Sequence, residues 1–233
     1  MKIILQSVIA AAAVCLLAGC ETTGLSPRES SGVGYPNYIL SLPYAATPQK
    51  PATPIRLAVA QVGENAPPDA MLNKLADRKA LIASVTGLPL PGDTELPFYS
   101  YGPNAQKLDY SARVKTICGL AHISGADFLF LFGGNVDSWE QNNALAVLDA
   151  TIVGGVLLPG TKIHIEGKGA GVLLSTATCQ PVLFVNSEAK DSAGSPDFLS
   201  NGKTTALRVK VRDELVAKLT DQLLDKLGQS TNQ

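Results

Sequence analysis

A chain of 233 residues with 19 basic and 20 acidic side chains and a net charge of −1 has no cationic excess to hold a phosphate backbone, so nucleic acid drops out as a partner. Hydrophobic residues make up 45%, which fits a globular core, while aromatics reach only 6% with one tryptophan. That poverty argues against a carbohydrate-stacking surface or an aromatic ligand cage. The first residues then set the context for all the others. Lys2 precedes an apolar run from Ile3 to Leu17, broken only by Gln6 and Ser7, and the run ends in Leu17-Ala18-Gly19-Cys20. A basic start, an apolar middle and small residues at the end are the layout of a secretory signal. The run is shorter than the roughly 20 residues a membrane-spanning helix needs.

A cysteine directly after Leu17, Ala18 and Gly19 resembles the lipobox of bacterial lipoproteins. The resemblance implies that a lipoprotein signal peptidase reads those three residues. The Cys20 thiol then receives a diacylglyceryl group, the peptide before it is removed, and the new amino terminus is acylated. The alternatives are an ordinary signal peptide whose first mature residue is cysteine, or an uncleaved anchor. Each buried methylene contributes about 0.8 kcal/mol and a single myristoyl chain binds only marginally, so three chains on Cys20 hold a protein to a membrane essentially permanently. Glu21 stands where an aspartate signals retention in the inner membrane, so the expected address is the periplasmic face of the outer membrane of a Gram-negative cell. This lipid is the only non-protein group expected; neither a cofactor nor a metal is.

With 1–19 as signal peptide, residues 20–54 read as a tether rich in Pro, Ser and Gly, 55–228 as one α/β domain and 229–233 as a disordered tail. Within the tether, the apolar stretch Tyr35 to Tyr44 reads as a segment that packs back on the domain. Of four cysteines, Cys15 leaves with the signal and Cys20 carries lipid. Cys118 and Cys179 either form a disulfide, which an oxidising periplasm permits, or remain small buried apolar residues.

Ile55 to Val62 is an apolar, β-branched run bounded by Pro54 and Gly63 and predicts a buried strand. Pro67-Pro68-Asp69 opens a helix in which Met71, Leu72, Leu75, Ile82 and Val85 recur at three-to-four spacing, with Gly87 closing it. Leu96 to Tyr101 looks like a second strand, at an edge because of Pro97. A second helix fits Gln106 to Ser124, capped by Asp109. Gly125-Ala126-Asp127 then leads into Phe128 to Phe132, the strongest strand in the chain. Asn135 to Asn143 is polar, and Ala144 to Leu158 is apolar except for Asp149. Lys162 to Ser175 and Val182 to Val185 read as antiparallel strands joined by turns. Lys203 to Leu227 is a long amphipathic helix with Leu207, Val211, Leu215, Leu219, Leu223 and Leu227 spaced by four, ended by Gly228. The order predicts an α/β (α+β) sandwich: a mixed sheet of about five to six strands, two or three packed helices, and a long C-terminal helix.

The chemical motifs are thin. Gly202-Lys203-Thr204 lacks the earlier glycine of a phosphate loop, since Asp197 holds that position. Gly167-Lys168-Gly169-Ala170-Gly171 lacks dinucleotide spacing and fits close packing or a bulge in a strand. His122 and His164 are the only histidines, with no metal-ligand spacing around them. Cys118 and His122 are an i, i+4 pair on one helix face, the residue types of a nucleophile and its base, but Cys118 lies on the apolar stripe, which favours a structural role. No catalytic residue is assigned. The Ala144 to Leu158 run is long enough for a tilted membrane-crossing strand of about 9–11 residues, yet it does not alternate as a lipid-facing strand should. A buried strand or a protein-contact surface fits it better.

Tyr35-Pro36, Gly125-Ala126-Asp127-Phe128-Leu129, Thr151-Ile152-Val153-Gly154 and Val182-Leu183-Phe184, in a strand-helix-strand-helix order starting at Ile55, resemble the periplasmic domain of CsgG-like and TolB-N-terminal lipoproteins, and within that group the rhombotarget lipoproteins. The resemblance implies a lipid-tethered, non-enzymatic accessory protein that binds other envelope proteins, with homo-oligomers open. The second reading is a subunit of an oligomeric CsgG-like secretion channel using residues 144–175; the third is an unrecognised periplasmic hydrolase. The chain departs from the channel pattern in lacking clearly alternating hairpins. Its end, Lys-Leu-Gly-Gln-Ser-Thr-Asn-Gln, has no Gly-Gly and hydrophobic tail, so it is not expected to be a rhombosortase substrate.

Overall fold

The computed structural model describes residues 29–31, 51–90, 110–142, 161–195 and 200–231. Six strands and three helices occur among them: β1 (Glu29–Ser31), β2 (Ile55–Gln61), α1 (Asp69–Ala76), β3 (Ile82–Gly87), α2 (Tyr110–Ile123), β4 (Phe128–Asn142), β5 (Thr161–Ser175), β6 (Pro181–Ser195) and α3 (Ser200–Thr231). The described residues fall into two compact units. The larger takes those in Ser30–Asp137, Glu166–Lys190 and Val209–Gln233, and the smaller those in Met1–Glu29, Ser138–Ile165 and Asp191–Arg208. The sheet order is β3-β2-β4-β5-β6, with β1 against β4.

β2 is the parallel centre of the larger unit. Leu57 faces Val85 of β3 on one side and Phe128 of β4 on the other. Leu57, Ala58, Val59 and Ala60 are all buried, as expected of a strand covered on both faces. The connection from β2 to β3 steps outward and the one from β3 to β4 steps back across β2. Parallel crossovers keep one hand, so opposite steps require helices on opposite faces. The burial follows this rule. On one face α2 packs Val114, Ile117, Cys118 and Ala121 onto Ala58, Ala60, Leu129, Leu131, Val172 and Leu174. On the other, Met71 and Leu75 of α1 and Leu219, Leu223 and Leu227 of α3 cover Leu57, Val59, Phe130, Phe132 and Val185.

The second half is antiparallel. Gly171 of β5 lies against the Phe130 ring of β4 and Lys168 against Gly134, so numbering falls on one strand as it rises on the other. The β5–β6 connection, Thr176 to Gln180, is too short for a parallel crossover and closes with a hydrogen bond from the Ser175 N–H to the Gln180 carbonyl (3.0 Å). An α/β fold with a mixed sheet and a long C-terminal helix is therefore what the chain forms.

Three elements differ from the sequence expectation. The helix expected to run from Pro67 to Gly87 stops at Ala76, and Ile82–Gly87 is a parallel edge strand. The Asp77 N–H closes the last helical turn on the Asn73 carbonyl, and Leu81 and Ile82 both donate to the Arg78 carbonyl, turning the chain back. Ile82, Val85 and Thr86 are β-branched, which suits a strand. The polar stretch from Asn135 continues β4 to Asn142, with Val136 and Ser138 buried on alternate positions. Gly228 does not end α3, which reaches Thr231; Leu223, Leu224 and Leu227 anchor its last turns and offset the roughly 1 kcal/mol a helical glycine costs. The expected strand Leu96 to Tyr101, the cap Asp109, the apolar run Ala144 to Leu158, the tether patch Tyr35 to Tyr44 and the Leu17 to Cys20 segment lie outside the described residues.

Candidate functional site

Cys118 and Cys179 form a disulfide with their Cα atoms 5.9 Å apart. It ties the apolar face of α2 to the β5–β6 turn, where Cys179 sits in the left-handed region at φ 55° and donates its N–H to the Ser175 carbonyl (2.7 Å). Since Cys118 is bonded to Cys179 and His122 is exposed to solvent, the Cys118–His122 pair is no nucleophile and base. Gly167, Gly169 and Gly171 are close-packing positions and form no phosphate loop. A Cβ at Gly167 would meet Leu215 and Val211 of α3, and one at Gly169 would meet Leu219. Among the described residues no three His, Cys, Asp or Glu side chains gather as a metal site.

In the smaller unit, His164 stacks on Trp139 with ring centroids 5.4 Å apart and planes 7° from parallel. Burial first, and the charge of Lys162 second, hold the His164 pKa below its ordinary value. Arg208 Nη2 donates to Ser138 Oγ, and Lys203, in the first turn of α3, donates from Nζ to the Gly194 carbonyl (2.9 Å). The lysine of Gly202-Lys203-Thr204 therefore caps a strand.

In the larger unit, Gly125 ends α2 with φ 82°, which a glycine adopts without strain, and hands the chain to Asp127. Asp127 accepts from Arg56 Nε (3.0 Å) and Nη2 (2.5 Å), a fork that joins the starts of β4 and β2. Behind it, Thr176 Oγ1 donates to the Ala126 carbonyl (2.7 Å), so the β5–β6 turn closes over the same corner. The hydrogen bond from Arg56 holds the Asp127 carboxyl below the usual range and raises Arg56. A depressed carboxylate contributes stability that is present above its unfolded pKa, near 4, and lost as pH falls through the lower folded value. Asp127→Asn is accordingly expected to lose a small increment at neutral pH and to show a shallower acid-side decline. Urea midpoints measured from pH 7 down to pH 3 check this, and curves that stay parallel contradict it.

A shallow polar groove of about 330 Å³ lies between β6 and α3, lined by Asn186, Ser187, Glu188, Lys218 and Gln222. Gln222 Oε1 accepts from the Asn186 N–H (3.2 Å), and Lys218 Nζ donates to the Glu188 carbonyl (2.9 Å) while pairing with Glu214 (2.7 Å). One turn on, Lys226 Nζ donates to the Phe184 carbonyl (2.6 Å). The sequence reading missed these residues. Their signal was a polar line at 218, 222 and 226 beside the leucine stripe, which is indistinguishable in sequence from an ordinary solvated helix flank. No family model and no curated protein matches the chain.

Proposed function

We propose that the protein is a lipid-anchored lipoprotein of the outer membrane, its folded part displayed in the periplasm as a non-catalytic binding and assembly module for other envelope proteins. The observation that carries this reading is Leu17-Ala18-Gly19-Cys20 at the end of the apolar run. The Cys118–Cys179 bridge supports it, because disulfides persist in exported proteins and are rare in a reducing cytosol. The same bridge supports the non-catalytic part, since it occupies the one thiol that the sequence placed beside a histidine.

The anchor is tested by labelled palmitate in growing cells. The protein is expected to take up label and to fractionate with the outer membrane, and Cys20→Ser is expected to lose the label completely. Unchanged labelling of Cys20→Ser sinks the proposal. A subunit of an oligomeric channel is the second reading, favoured by β4 and β5 pairing on either side of residues 143–160, which include the apolar run. Sedimentation in mild detergent separates the two: a particle of one chain supports the module, and a ring of many chains supports the channel.

A further inference from the structure

Among the described residues β6 is the last strand of the sheet path, and an exposed edge strand offers unpaired N–H and C=O groups to any other strand. In the larger unit α3 answers that exposure. Its leucines cover the sheet face, while Lys218, Gln222 and Lys226 lean along one flank onto the β6 backbone. They reach the Glu188 carbonyl, the Asn186 N–H and the Phe184 carbonyl in turn. The helix positions advance by four, about 6 Å, and the strand positions retreat by two, about 6.6 Å, so the two repeats stay in step for three contacts. The single Asn186 N–H is committed to Gln222 and not to β5. The Phe184 and Glu188 carbonyls, two residues to either side on the strand, share its direction, so these are the groups a further strand would need.

We infer that α3 is an edge guard: Lys218, Gln222 and Lys226 occupy the outer backbone of β6 and hold it back from antiparallel pairing with β6 of a second copy of this chain. A second copy is the occupant that fits. An antiparallel pair of identical edges is closed by a two-fold axis, so both copies satisfy the same groups. In the register that sets Asn186 opposite Glu188, Phe184 faces Lys190 and no like charges meet across the junction.

The test uses the full chain in mild detergent and the variant Lys218→Ala/Gln222→Ala/Lys226→Ala. Alanine is the strongest helix former, so α3 is expected to persist. Circular dichroism should stay native, and sedimentation over a range of concentrations should show self-association about tenfold or more tighter than in the unaltered chain. A folded triple variant whose sedimentation overlays that of the unaltered chain at every concentration overturns the inference. Gln222→Ala alone removes one cap without changing charge, and serves if the triple variant does not fold. The Asn186 amide is then expected to exchange hydrogen about tenfold faster, with Val185 and Val172 unmoved. An unaltered Asn186 rate overturns the inference equally.

Discussion

Replacing both bridge cysteines, Cys118→Ala with Cys179→Ala, is expected to lower stability by about 4 kcal/mol and the melting temperature by roughly 10–15 °C. The two positions are 61 residues apart in sequence. Closing a loop of that length removes unfolded-chain entropy worth about 4 kcal/mol at 25 °C. The substitution itself takes little from the core. Cys118 is 2% exposed against Val114, Ile117 and Ala121, and alanine leaves only the space of one sulfur there. Reducing the unaltered protein should therefore give nearly the same destabilisation as the double substitution. The slope of the urea transition should steepen in both cases, because the released unfolded chain exposes more surface. A melting temperature that moves by less than roughly 3 °C on reduction would show that the unfolded chain already keeps α2 near the β5–β6 turn.

That bridge also marks how far residues alone carried the reading. The sequence offered Cys118 and Cys179 as either partners or separate buried thiols, because nothing in spacing reports a Cα separation. β2, the core of β4 and the leucine stripe of α3 were legible because burial on both faces or on one stripe leaves a period in the sequence. β3 was not legible. Ile82 and Val85 lie three apart, a spacing that continues the helical series from Met71 and Leu75, and only the turn at Arg78 breaks it. The outer half of β4 was hidden for the opposite reason. Its inward positions include Ser138 and Gly134 rather than large apolar residues, so no alternation shows. The α3 edge contacts depend on which backbone groups face outward, and that follows from strand order, a property of the assembled sheet.

The second large effect concerns the glycines where β4 meets β5. Gly134→Ala is expected to cost about 3 kcal/mol and Gly171→Ala about 2 kcal/mol, while Gly119→Ala is expected to stabilise by about 0.5–1 kcal/mol. A Cβ on Gly134 would stand 2.5 Å from the Lys168 carbonyl oxygen and 3.0 Å from the Gly169 Cα, so the backbone of the neighbouring strand must move. A Cβ on Gly171 would stand 2.5 Å from Phe130 Cζ. Phe130 is fully buried and stacked on Phe132 with centroids 5.6 Å apart, so the ring has little room to retreat in a close-packed interior. Gly119 differs in both respects. It lies on the exposed side of α2 with nothing within 4 Å of the added carbon, so alanine only removes unfolded-state freedom from a helical position. Urea midpoints should therefore rank Gly119→Ala above the unaltered chain, then Gly171→Ala, then Gly134→Ala. A Gly134→Ala protein within roughly 0.5 kcal/mol of the unaltered one would mean that β4 and β5 separate easily at Lys168. The close approach would then reflect a soft junction, and the stiffness of the sheet would have to come from its other face, where Val172 and Leu174 meet α2.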